Sequence, residues 1–157
     1  MQRLIGKLAP AAALIALLPT SAHADVTAFL GVSPTGGTRL GQGVAAGAGL
    51  VIVAFEIEAA RLVESSDDAA PALSTGMANV LVQTPIDVSN MQFYATVGAG
   101  AYRETLGTTR ETALATNLGG GAKIRLAGPL KLRLDYRLFR LQGSPVHATY
   151  HRVYAGA

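Results

Sequence analysis

The segment Leu130–Leu141, LKLRLDYRLFRL, constrains the fold more than any other stretch of the chain. Leu130, Leu132, Leu134, Tyr136 and Leu138 fall on one parity, and Lys131, Arg133, Asp135 and Arg137 on the other. A helix would scatter these charges around its girth. An extended strand separates them completely, because successive side chains point to opposite faces. The alternation recurs upstream. Phe55, Ile57 and Ala59 oppose Glu56 and Glu58, and Leu114, Leu118, Ala122, Ile124 and Leu126 oppose Asn117, Lys123 and Arg125.

Period-2 patterning broken by Gly, Pro and Asp clusters runs on through the chain. It predicts eight strands, near 25–33, 42–50, 53–63, 74–84, 91–104, 112–126, 130–141 and 148–157. The links at 34–41, 64–73, 105–111 and 142–147 read as longer and polar. Those at 50–52 and 127–129 read as tight, and 85–90 as intermediate. Long-short alternation is the rhythm of an up-and-down barrel with short turns on one side of an outer membrane. No Pro or Asn-Gly marks the reversal between Gly43 and Val63. Length places it near 50–52, and one long bent strand is the alternative.

Residues 1–24 read as a cleavable signal peptide. Arg3 and Lys7 supply the positive start, residues 8–18 the apolar run, and Ala22-His23-Ala24 the small-x-small cleavage pattern. The run is too short to span a bilayer, which needs about 20 apolar residues. Cleavage is expected between Ala24 and Asp25, leaving residues 25–157 as one domain. The formal net charge of +3 includes Arg3 and Lys7, so the exported part is close to neutral and carries no basic patch for nucleic acid. The sequence has no cysteine, which removes thiol chemistry and the disulfides that usually hold small exported domains. After Ala24 no helix-length apolar stretch remains, so apolarity must reside in strands.

An eight-stranded antiparallel up-and-down barrel has an interior about filled by its own side chains. With the leucines against lipid, the charges must face inward and pair. Glu56, Glu58, Lys123, Arg133, Asp135 and Arg137 are the expected lumen ion-pair network, with Arg125, Lys131 and Arg152 as further cations. Gly98, Gly100, Gly119 and Gly121 share these faces and would leave room for guanidinium groups. Periodicity alone equally permits the inverse, a soluble periplasmic β-barrel with charges in water and an apolar ligand inside.

Residues 93–102 (FYATVGAGAY), 117–123 (NLGGGAK), 132–137 (LRLDYR) and 153–156 (VYAG) resemble the outer-membrane β-barrel-domain family, the small eight-stranded OmpA/OmpX-like barrels. The resemblance spans essentially the whole exported part. The G-x-K strand followed by a turn and an L-R-x-D-Y-R strand is its most specific portion. It implies a transmembrane barrel in a bacterial outer membrane, with outer-membrane lipid and lipopolysaccharide as surroundings. Periplasmic chaperones and the barrel-assembly machinery are the implied partners in biogenesis, and the implied state is a monomer. One departure stands out. Such barrels usually end in a strand with a terminal aromatic, whereas this chain stops at Ala157 with no Phe after Phe139. The departure implies either a truncated sequence or a short closing strand with a degraded insertion signal.

Other motifs point to no chemistry. Gly41-x-Gly43 and Gly119-Gly120-Gly121-Ala122-Lys123 lack the spacing of nucleotide loops. His147 and His151 would share a metal only on a helix, and they read as rim histidines. Ser144, His147 and Glu111 are the residue types of a triad without its motif. Glu64, Ser65-Ser66 and Asp67-Asp68 read as a solvated loop rather than a cation site. The expectation is therefore a non-enzymatic protein with a structural or surface-interaction role, no cofactor, no metal and little conductance.

Overall fold

Each segment with one apolar and one polar face forms a strand, and the strands close on one another. The computed structural model describes residues 23–65, 70–85 and 87–157. The strands are β1 (His23–Ser33), β2 (Arg39–Gly49), β3 (Val53–Leu62), β4 (Ala72–Gln83), β5 (Met91–Leu106), β6 (Thr109–Ala127), β7 (Leu130–Leu141) and β8 (Thr149–Gly156). They form a closed barrel in sequence order, every neighbouring pair antiparallel, and no helix forms among the described residues. The expected signal peptide lies outside the described residues apart from His23 and Ala24. These two already pair with Gly49 and Ala48 of β2, so the expected cut falls just inside β1.

The two faces are sorted without ambiguity. Leu30 is 70% exposed and Ile57 68%, whereas Arg137, on the inward face of β7, is 0% exposed. The charges are inside and the leucines outside, which overturns the inverse arrangement. Closure rests on β8, which pairs with β7 over Arg133–Arg140 and with β1 from Phe29 to Val32, the ladder continuing in two backbone hydrogen bonds between Ala28 and Ala157.

The reversal without a local signal lies at residues 50–52. Leu50 N donates to Val53 O at 2.8 Å, and Gln83 of β4 caps it from a distance: its Nε2 donates to Leu50 O and its backbone N to Ile52 O. A tertiary clamp replaces the missing turn residues.

Two links differ from the expected rhythm. The stretch 105–111 is no long loop. Leu106 pairs with Thr109, and the chain reverses through Gly107, at φ +59, and Thr108. Polar composition there marks a hairpin that continues past the end of β7, whose pairing with β6 stops at Ala115, not the loss of strand structure. Conversely, the link from β4 to β5 spans 84–90, with Ser89 and Asn90 at positive φ, and is the longest at its end of the barrel. The tight link from β6 to β7 is Gly128-Pro129, with Gly128 at φ +55.

Candidate functional site: the filled lumen

The middle of the lumen holds an ion cluster supplied by β3, β7 and β8. Glu56 and Glu58 project from β3, Arg133, Asp135 and Arg137 from β7, and Arg152 from β8, all buried. Arg137 is the hub. Its Nη2 lies 2.9 Å from Glu56 Oε1, its Nη1 2.9 Å from Glu58 Oε2, and its Nε donates to Asp135 Oδ1 at 3.0 Å. Arg133 pairs with Glu56 and with Asp135, and Arg152 Nη2 meets Glu58 Oε1 at 2.6 Å. Three carboxylates balance three guanidiniums, so the cluster is neutral as a whole.

Neutral polar groups complete it. Tyr94 donates to Asp135 and accepts from Arg133 Nε at 2.8 Å. Asn117 donates to Asn79, and Asn79 donates to Glu56, at 2.8 and 3.3 Å. Arg152 lies over Phe139 at 4.8 Å and over Phe29 at 5.1 Å, a packing that suits a desolvated guanidinium. Charges this deep are tolerable only when paired and hydrogen-bonded.

Lys123 is the exception among the expected residues. It lies toward the end of the barrel that holds the chain termini and pairs with Asp25 of β1 at 3.0 Å, apart from the central cluster. Arg125 also stands apart, paired with Asp87 of the 84–90 link beside the irregularity in β6. The reason is register. Lys123 faces Arg133 across the ladder and Arg125 faces Lys131, so like charges adjoin, and Lys123 and Arg125 pair with carboxylates of other segments. A cavity of about 350 Å³ opens at this mouth, lined in part by Asp25, Asp87, Lys123, Arg125 and Lys131, with Glu56 also on its wall.

Sequence reasoning missed the other half of the lumen. Toward the long loops the interior turns apolar: Leu62, Leu73, Met77, Tyr102, Ala115, Phe139, Leu141 and Tyr150 form one buried cluster. Phe139 stacks on Tyr150 with ring centroids 4.5 Å apart. The signal was present, since Phe139 and Leu141 share parity with Arg133 and Arg137. On their own strands, Tyr94 shares parity with Gly98 and Gly100, and Tyr154 with Arg152.

Volume is balanced across the ladders. Gly119 faces Arg137, Gly121 faces Asp135, Gly98 faces Asn79 and Gly47 faces Glu56. A Cβ on Gly119 would come within 2.9 Å of Arg137 Cγ, and one on Gly121 within 2.6 Å of the Tyr94 hydroxyl. A barrel this narrow accepts large charged side chains only opposite small ones.

Side chains also fasten the loops. Arg39 donates to Pro71 O at 2.6 Å and to Thr35 O at 3.3 Å. Tyr102 donates to Gln142 O, while Glu104 and Glu111 accept from the backbone N of Val146 and Ser144. Glu111 thus holds the Ser144 backbone, and His147 lies against Gly36, with no hydrogen bond from His147 to Ser144 or Glu111 among the described residues. His151 faces outward and bonds Tyr136. Glu64 is exposed, and Ser65 pairs with Ala70, but Ser66, Asp67 and Asp68 lie outside the described residues. Among the described residues no group of three His, Cys, Asp or Glu could hold a metal.

No family model matches the sequence, and no curated protein matches it. Solved structures do match. Neisserial surface protein A superposes with a TM-score of 0.65, at 15% identity, over 85% of this chain and 96% of that chain. The N-terminal β-barrel domain of Pseudomonas aeruginosa OprF superposes at 0.63, with 12% identity, over 85% and 94%. The fold is that of the small eight-stranded outer-membrane barrels. At such identities the likeness is one of architecture, and what this barrel does must be argued from its own residues.

Proposed function

We propose that the chain is a non-enzymatic outer-membrane barrel, exported by its leader and acting as a monomer in a structural or surface-interaction role. The observation that carries this reading is the sorting of faces. Val26, Leu30, Phe55, Ile57, Leu114 and Leu118 are all more than 60% exposed on the outer wall, while every strand carboxylate points inward. Soluble monomers rarely expose so large a contiguous apolar surface. In hydrocarbon it is the surface required, because a closed barrel satisfies every backbone group internally.

A neutral ion cluster capped by packed aromatics favours a plugged lumen over a pore, so little conductance is expected. The surroundings proposed are outer-membrane lipid and lipopolysaccharide, with periplasmic chaperones and the barrel-assembly machinery during insertion. Cell fractionation tests the reading. The protein should require detergent for release from the outer-membrane fraction and show a gel mobility that shifts on boiling. A freely soluble periplasmic product would overturn it.

A further inference from the structure

Among the described residues, the outer wall carries charge at one end only. Read from the terminus end to the loop end, the outward residues of β3 are Val53, Phe55, Ile57 and Ala59, then Arg61. On β5 they are Phe93, Ala95, Val97, Ala99 and Ala101, then Arg103. On β7 Leu130, Leu132, Leu134, Tyr136 and Leu138 lead to Arg140, and on β6 the outward series likewise reaches Arg110. All four arginines are exposed, and none forms an ion pair among the described residues. The strand carboxylates cannot serve them: Asp25, Glu56, Glu58, Glu104, Glu111 and Asp135 lie on the inward parity. At the terminus end, the outward strand residues are apolar.

The arginines have hydroxyl neighbours. Arg61, Ser74, Arg103 and Thr112 occupy successive places on one cross-strand row. Strand spacing puts Arg61 and Arg103 about 10 Å apart at their Cα atoms. Arg140 sits between Thr116 and Thr149. Guanidiniums flanked by hydroxyl groups, with no strand carboxylate on the same face among the described residues, match phosphate oxygens, which guanidinium binds in bidentate fashion. Their place at the loop-end margin of the apolar wall coincides with a headgroup layer.

We infer that Arg61, Arg103, Arg110 and Arg140 form a phosphate-binding belt for the phosphorylated glycolipid of the outer leaflet. The inference rests on the outer-membrane reading above and deepens it, by giving the lipid contact a chemistry and an address. Like charges spaced along a low-dielectric wall repel unless an anion lies between them, and lipid phosphates supply it.

The full chain, refolded in detergent and reconstituted into phosphatidylethanolamine vesicles containing lipopolysaccharide, tests the belt. Mobility shift on boiling reports insertion, and lipopolysaccharide retained per barrel after mild extraction reports the belt. The combined variant Arg61→Gln, Arg103→Gln, Arg140→Gln should insert normally and retain roughly tenfold less. Arg→Lys at the same positions should fall between, because charge remains but the bidentate fork is lost. Dephosphorylated lipopolysaccharide should be retained as poorly as by the Gln variant. Equal retention by wild type and Gln variant, or of phosphorylated and dephosphorylated glycolipid, would overturn the belt, and so would equal retention of phosphatidylglycerol. A wild-type barrel that fails to insert would instead overturn the outer-membrane reading, and the belt with it.

Discussion

Gly119 faces Arg137 across the β6–β7 ladder, and a Cβ built on Gly119 would lie 2.9 Å from both the Arg137 Cα and its Cγ and 2.2 Å from Tyr136 O. The hub of the ion cluster therefore depends on the absence of a side chain one strand away. Gly119→Ala should destabilise the barrel by about 1–3 kcal/mol through overpacking. Gly76 faces outward with nothing within 4 Å of a Cβ, so Gly76→Ala should be neutral or stabilising by up to about 1 kcal/mol. Urea unfolding in detergent compares the two, followed by circular dichroism because the chain has no tryptophan. Equal midpoints would contradict the packing.

Removing the hub should cost more. Arg137→Ala leaves Glu56, Glu58 and Asp135 each short of a partner, and a broken buried pair costs about 3–5 kcal/mol. Arg133→Ala should act in the same direction through Glu56 and Asp135. Adding Glu56→Gln to either variant should restore part of the loss, since one unpaired charge is gone. A double variant no more stable than the singles would remove the coupling.

Lys123 gives the contrasting case. Its partner Asp25 keeps 34% of its side chain exposed, so water screens the pair. Lys123→Met should shift stability by no more than about 1 kcal/mol. A loss as large as that from Arg137→Ala would place Lys123 in the central network after all.

The apolar half of the lumen should behave as a protein core. Phe139→Ala removes a fully buried ring stacked on Tyr150, at about 3–5 kcal/mol. In planar bilayers the same variant should leave current at baseline, because the Arg137 cluster still fills the barrel. Steady channel currents from the wild-type chain would contradict a plugged lumen.

Arg39 bridges the first two long loops through Thr35 O and Pro71 O. Arg39→Ala should therefore speed cleavage of the 63–71 loop by protease added to the loop side. An unchanged cleavage rate would show that the loop is held by other contacts.

Alternation made the strands legible. A period of two leaves a segment such as Leu130–Leu141 no way to bury its leucines except as an extended strand, and eight such segments with short links leave few topologies. It also marked Glu56, Glu58, Arg133, Asp135 and Arg137 as sharing a face. The reversal at residues 50–52 was poorly marked because Gln83, more than 30 residues away in sequence, holds it. The 105–111 hairpin is hard to read because polar residues suit a strand that extends past the end of β7 as well as they suit a loop.

Periodicity determined which residues travel together. It left open which face is inside, since exchanging inside for outside preserves every alternation. Closure of the barrel decided that, placing the guanidiniums opposite glycines where they have room and the branched apolar side chains on the convex wall. Tertiary structure alone also decided the partners. Register across the ladders sent Lys123 to Asp25 and gathered Arg137 with Glu56, Glu58 and Asp135, because distance between strands, not position along the chain, sets which charges can meet.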